Sequence, residues 1–198
     1  LLLGVVWLHL SLHTAAYGDV FRALSQPQGG GHGAALPVTA VGLGLTLAAM
    51  GKSAQFPVGG WLPRAMEGPT ASSAVFYGSL SVHAGVFLLL RAAPLIHQAP
   101  LVQVALALIG LTTAVMGALS GQVSADAKSA LVYATVSQVG LMFVEIALGL
   151  ERLAALHLCA HALLRYYQFL RTPSALQDAL GRRSALGMTQ PDEDASRW

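Results

Sequence analysis

The chain has 198 residues, 55% of them hydrophobic and only 10% charged, with a mean hydropathy of +0.60. Soluble domains carry about 25% charged residues, so the composition excludes an ordinary soluble domain and points to an all-α, polytopic transmembrane helical bundle. A net charge of +2 without a Lys/Arg-rich run gives no reason to expect nucleic acid as a partner, and the single cysteine, Cys159, excludes an internal disulfide framework.

Helices of roughly 20 apolar residues cross a bilayer core. Six such spans are predicted in chain order, at 1–18, 36–58, 69–93, 100–121, 126–149 and 151–171. The chain opens on Leu-Leu-Leu within the first span, without a basic n-region or cleavage site, so it reads as a fragment whose earlier helices are missing. Residues 1–171 form the transmembrane part, and 172–198 a solvated tail ending in 190-QPDEDASRW-198. The connection 19–35, with Pro27 and 29-GGGHG-33, reads as a flexible external loop. Pro94 and Pro100 mark the turn after the third span. Alternating the loops between two sides groups Arg22, Arg91 and Arg152 on one. Arg64, Lys128, Arg171, Arg182, Arg183 and Arg197 fall on the other, which makes the tail cytoplasmic. Trp7, Tyr17 and Trp61 suit interfacial anchoring.

A charge at mid-bilayer costs at least about 2.5–3.5 kcal/mol on insertion scales, so ionisable residues inside spans face protein or water and often mark ion pathways. Lys52, in the second span, either snorkels to the interface or faces a cavity. Pro57 favours the cavity, because it frees backbone carbonyls that must be buried or hydrated; Pro63 makes a second break. In 157-HLCAHALLR-165 the spacing places His157, His161 and Arg165 on one helix face, suited to proton relay, with packing against polar groups as the plainer alternative. A metal site of His157, Cys159 and His161 is disfavoured, since Cys159 lies about 200° round the helix from His157. Ser72 and Ser79 read as packing residues, whereas His83, seven and four residues along their stripe, reads as functional. Lys128, Thr135, Gln138 and Glu145 share a stripe of the fifth span. Lys128 marks either the helix entrance or the pathway, and Glu145 is either a proton-exchanging carboxyl or a residue near the interface. Gly110 and Gly117 suit close helix packing. His9 and His13 share a face of the first span but lack context. No phosphate-binding glycine loop, HExxH, CxxC pair or nucleophile elbow is present, and no flavin, haem or iron–sulfur motif.

The segment 51-GKSAQFPVGGWLPRAMEGPT-70 resembles the signature of the antiporter-like proton-pumping subunits of respiratory complex I, of the NADH-quinone oxidoreductase chain 5 type. Two further stretches, 126-DAKSALVYATVSQVGLMF-143 and 157-HLCAHALLRYYQFL-170, are similar to later motifs of that family in the same order. The resemblance implies helices six to eleven of a fourteen-helix core, including a discontinuous seventh helix. It makes Lys52 the central proton-holding lysine, and His157 and His161 the histidines of the eleventh helix. Arg165 stands where a lysine is usual, and arginine hardly deprotonates. Tyr77 replaces a histidine of the eighth helix, while His83 appears where threonine is common. Val58, Gly59, Gly60 and Arg64 also depart from the pattern.

The function implied is proton translocation in the membrane arm of a complex I-like assembly, through Lys52, His83, Lys128, Glu145, His157, His161 and Arg165. The lysine's glutamate partner is expected on a helix outside this sequence rather than at Glu67. No redox chemistry is expected in this chain; quinone, flavin and iron–sulfur clusters belong to partner subunits, and the location implied is the bacterial inner membrane. The alternatives are a subunit of a multisubunit Na⁺/H⁺ antiporter or inorganic-carbon uptake complex, and a truncated scaffold that does not pump.

Overall fold

The computed structural model describes residues 38–65 and 80–172, together with positions 6, 9, 18, 19, 74, 75, 182 and 185. The first predicted span, the 19–35 loop, Glu67, Ser72, Tyr77, Ser79 and the tail lie wholly or largely outside the described residues. Within them the architecture is all-helical: α1 (Val38–Lys52), the single turn α2 (Trp61–Arg64), α3 (His83–Ile96), α4 (Pro100–Gln122), α5 (Ala127–Ala147) and α6 (Glu151–Arg171).

The last three helices fall within a few residues of their predicted positions, and their ends have local causes. Pro100 opens α4 at a first-turn position, where its missing N–H has no intrahelical partner to lose. Asp126 caps α5, its carboxylate accepting the Ser129 N–H at 2.8 Å. Gly149, with φ +78°, turns the chain between α5 and α6.

The first part of the bundle departs from the sequence reading. α1 stops at Lys52, five residues before Pro57. The cause is a left-handed residue, Ala54 at φ 52°, followed by a Gln55 N–H that reaches back to the Met50 carbonyl at 3.0 Å. This is a Schellman-type ending with alanine where glycine is usual. Pro63 breaks nothing in the described backbone; it sits within the one turn of α2, where a donor is dispensable. α3 begins at His83, after turn residues Ser81 and Val82; the start of the predicted third span lies outside the described residues. Pro94 lies inside α3 and does not end it; its ring is on an exposed face near the last turn.

Only α4 and α5, among the described helices, are long and apolar enough to cross a membrane alone; α1 and α3 are shorter apolar helices. Two of the six predicted spans thus stand out clearly among the described residues, and six is not confirmed. α1 falls short because of the break at 53–60, α3 because turn residues Ser81 and Val82 precede it, and α6 because His157, His161 and Arg165 lower its hydropathy.

Packing centres on α4 against α5, with α1 on α3, and with α6 on α5 and α3. Lipid tails are as apolar as leucine, so helices in a membrane associate through close contact rather than hydrophobic exclusion. Glycine makes that contact possible here. A Cβ on Gly110 would lie 2.5 Å from the Gly140 carbonyl oxygen, and one on Gly140 would lie 2.6 Å from the Gly110 carbonyl. Ser137 Oγ then donates across the same seam to the Ala114 carbonyl at 2.8 Å. Phe143, Met142 and Ile146 of α5 meet Leu89 and Ile96 of α3 and Leu106 of α4 in the buried core. α6 is inside-out: Ala154, His161, Arg165 and Phe169 face the protein, while Leu156, Leu163 and Leu170 face outward.

Candidate functional site

The inward stripe of α6 meets the start of α3 and the second half of α5, and there the polar residues collect. Arg165 donates from Nε to His161 Nε2 at 3.0 Å, and from Nη1 to Gln168 Oε1 at 2.7 Å. Because His161 Nε2 accepts, its hydrogen is on Nδ1, which reaches His83 Nε2 at 2.9 Å. The three side chains are 4–8% exposed, so this chain of hydrogen bonds is sealed from solvent. Its donors all point from Arg165 towards His83.

His157 belongs to a second group. Its Nδ1 lies 2.8 Å from Glu145 Oε1 and its Nε2 lies 3.1 Å from Gln138 Oε1. Both ring nitrogens are therefore occupied, and His157 meets His161 only as an edge-on ring with centroids 6.0 Å apart. The stripe read from sequence as one row of ionisable groups is divided into two hydrogen-bonded sets. Glu145 is partly buried against His157, two residues before the end of α5. His83 stands at the first residue of α3 rather than deep in a helix.

Lys52 lies at the C-terminal end of α1 and is exposed. The break beside it is held by its neighbours. The Phe56 N–H donates to Thr113 Oγ1 at 3.0 Å, Ser53 Oγ donates to the Val82 carbonyl at 2.6 Å, and Trp61 Nε1 donates to the Gly51 carbonyl at 3.2 Å. A cavity of about 450 Å³ opens there, walled by Phe56, Pro57, Gly59, Pro63, Arg64, Thr113 and Tyr133 among others. Pro57 and Pro63 line that cavity, and neither Lys52 nor Gln55 is among its walls. Lys128 stands in the first turn of α5, two residues after Asp126, at the helix entrance. A larger open cleft, about 800 Å³, runs between α5 and the end of α6. Gln138 and Gln168, the outer partners of the two histidine groups, both line it.

Residues that the sequence did not single out include Gln168, His97, Gln103 and Glu151. His97 Nε2 lies 2.7 Å from Glu151 Oε1 and its Nδ1 lies 2.9 Å from Gln103 Nε2, tying the end of α3 to the starts of α4 and α6. The offset of three from Arg165 to Gln168 was readable as a same-face pair; the His97 cluster joins three elements and had no local signal. Among the described residues no group of three or more His, Cys, Asp or Glu is arranged to hold a metal ion.

The helical fold, with a broken backbone and an ionisable face turned inward, is that of an antiporter-like membrane subunit. The chain belongs to the transmembrane family of NADH:quinone oxidoreductases and Mrp antiporters (Proton_antipo_M), whose profile matches residues 1–189. It is 38% identical over 194 residues to NADH-quinone oxidoreductase subunit L of Campylobacter jejuni, covering 96% of this chain and 32% of that protein. It is 42% identical over 173 residues to NADH-ubiquinone oxidoreductase chain 5 of Dugong dugon, covering 87% of this chain and 27% of that one. Among solved structures it is similar to a chain of the Mrp complex from Dietzia sp. DQ12-45-1b, with 31% identity and a TM-score of 0.76, covering 85% of this chain and 18% of the other. The chain thus spans about a third or less of the length of these relatives.

Proposed function

We propose that this chain supplies the central proton-conducting segment of a membrane subunit in a complex I-like NADH:quinone oxidoreductase. The observation that carries the reading is the sealed Arg165–His161–His83 chain, built from groups that exchange or bias protons and placed inside a membrane bundle. Imidazoles linked nitrogen to nitrogen pass a proton by a short hop followed by ring reorientation. The open cleft supports hydration of Gln138 and Gln168, the outer partners of the two groups, from the side where α5 begins and α6 ends. Lys52 acts at the broken helix as the group whose charge state responds to a coupled partner, and Lys128 stands at the pathway's edge. Redox cofactors sit in partner subunits, and the assembly occupies the bacterial inner membrane with the tail of this chain on the cytoplasmic side.

Lys52→Ala in the full-length protein within its assembled complex tests this. Coupled proton translocation measured in vesicles is expected to fall at least about tenfold, the scale on which removing one proton-transfer group acts. Translocation at the unsubstituted rate overturns the reading.

The likeness to the Mrp complex of Dietzia favours a second reading, a subunit of a multisubunit cation/proton antiporter. Proton flux that follows an imposed sodium gradient, rather than quinone reduction, selects it; neighbouring genes for antiporter subunits point the same way.

A further inference from the structure

The Gln138 amide presents its oxygen to His157 Nε2 at 3.1 Å, and in that orientation Nε2 carries a hydrogen. In a neutral imidazole the other nitrogen, Nδ1, is then an acceptor. Yet Nδ1 lies 2.8 Å from Glu145 Oε1, which as a carboxylate oxygen is also only an acceptor. Two acceptors do not approach so closely without a proton between them. The second carboxyl oxygen, Glu145 Oε2, is buried without a partner, a costly place for a full negative charge.

We infer that His157 and Glu145 hold one shared proton as a pair, and that Gln138 is the positioning residue that loads and releases it. The inference rests on the proton-conducting reading for its use, but not for its chemistry. In the loaded state the proton lies between Nδ1 and Oε1, Gln138 accepts from Nε2, and the pair is electrically neutral overall. Loss of the proton from the pair leaves one negative charge. The hydrogen on Nε2 then shifts to the Nδ1 tautomer and donates to the carboxylate, while the Gln138 amide turns over so that its NH₂ donates to the bare Nε2. No atom is gained or lost besides the one proton, and no co-reactant is needed. The titratable and charged groups around the pair are His161 and Arg165 on α6 and His83 on α3, with Lys128 at the far end of α5. Because His161 offers His157 only a ring edge, the pair exchanges its proton through the cleft that Gln138 lines.

The test is difference infrared spectroscopy of the full-length protein in its purified complex, read at the protonated-carboxyl stretch and at the histidine ring modes. Glu145→Gln preserves the shape and is expected to remove one protonated-carboxyl or imidazolium signal and one proton from the titration. Gln138→Glu, which can only accept while ionised, is expected to keep that signal across the pH range where the unsubstituted protein loses it. Gln138→Leu is expected to lose the linked histidine signal. The spectra need no turnover, so they are independent of the Lys52→Ala translocation result. A Glu145→Gln spectrum and proton count identical to the unsubstituted protein overturn the shared proton. Gln138→Glu and Gln138→Leu titrations that match the unsubstituted protein overturn the role of Gln138.

Discussion

Arg165 spends both arms of its guanidinium on neutral partners, His161 and Gln168, rather than on a carboxylate. A group that stays protonated in this way fixes the tautomer of His161 without itself carrying a proton onward. Arg165→Lys keeps the charge with a single flexible donor and restores the residue expected at this place from the resemblance. Translocation by that variant is expected within a few-fold of the starting rate, whereas Arg165→Leu is expected to abolish it. His161→Leu leaves the Arg165 Nε–H and the His83 Nε2 without their partner. Unsatisfied buried groups cost about 1–3 kcal/mol, so the melting temperature in detergent should drop; an unchanged value contradicts the hydrogen-bonded arrangement. At the surface, Asp126→Ala removes the α5 cap and is expected to cost about 1 kcal/mol. The Ser129 N–H holds the Asp126 carboxyl below its ordinary value. The cap therefore contributes fully above the ordinary carboxylate range and weakens as pH falls through the lowered one. The identity of these residues was legible in the sequence, and so was their common face. The pairing was not, because spacing along α6 says nothing of which nitrogen meets which partner on α3 or α5.

Helix α5 lies against α4 at backbone distance, and the seam has no room for a side chain at Gly110 or Gly140. Gly140→Leu is expected to push the two helices apart. Overpacking costs about 1–3 kcal/mol or more, so thermal unfolding of the solubilised protein should occur earlier, whereas Gly44→Ala, where a Cβ would meet nothing within 4 Å, should leave it unchanged. The ends of α4, α5 and α6 were readable from Pro100, Asp126 and the loop glycine. Those of α1 and α3 were not. The left-handed Ala54 carries no sequence signal of the kind glycine gives, and Pro57, the visible helix breaker, follows an ending already made. Pro94 misleads in the opposite sense, since a proline near the last turn on an exposed face is compatible with continued helix.

Among the described residues the outward face of α4 is apolar, while His83, His161 and Arg165 are turned inward. On α4, Leu101, Val104, Leu108, Leu111, Val115 and Leu119 form an exposed stripe at three- and four-residue spacing. Lys placed at Leu108, near the helix centre, is expected to disfavour membrane insertion by about 2.5–3.5 kcal/mol, measured as the inserted fraction of α4 in a translocon assay. Equal insertion would mean that this stripe does not face lipid. The membrane class was legible from composition alone, whereas of the six spans read from the sequence two stand out clearly among the described residues. The break between α1 and α2 has one further consequence. Its loose backbone groups are taken up by side chains from elsewhere: the Phe56 N–H by Thr113 of α4, and the Gly51 carbonyl by the Trp61 indole. Within a membrane no water stands ready to replace them. The break is therefore a welded corner rather than a swivel, its bends held by bonds from α4 and from the Trp61 indole.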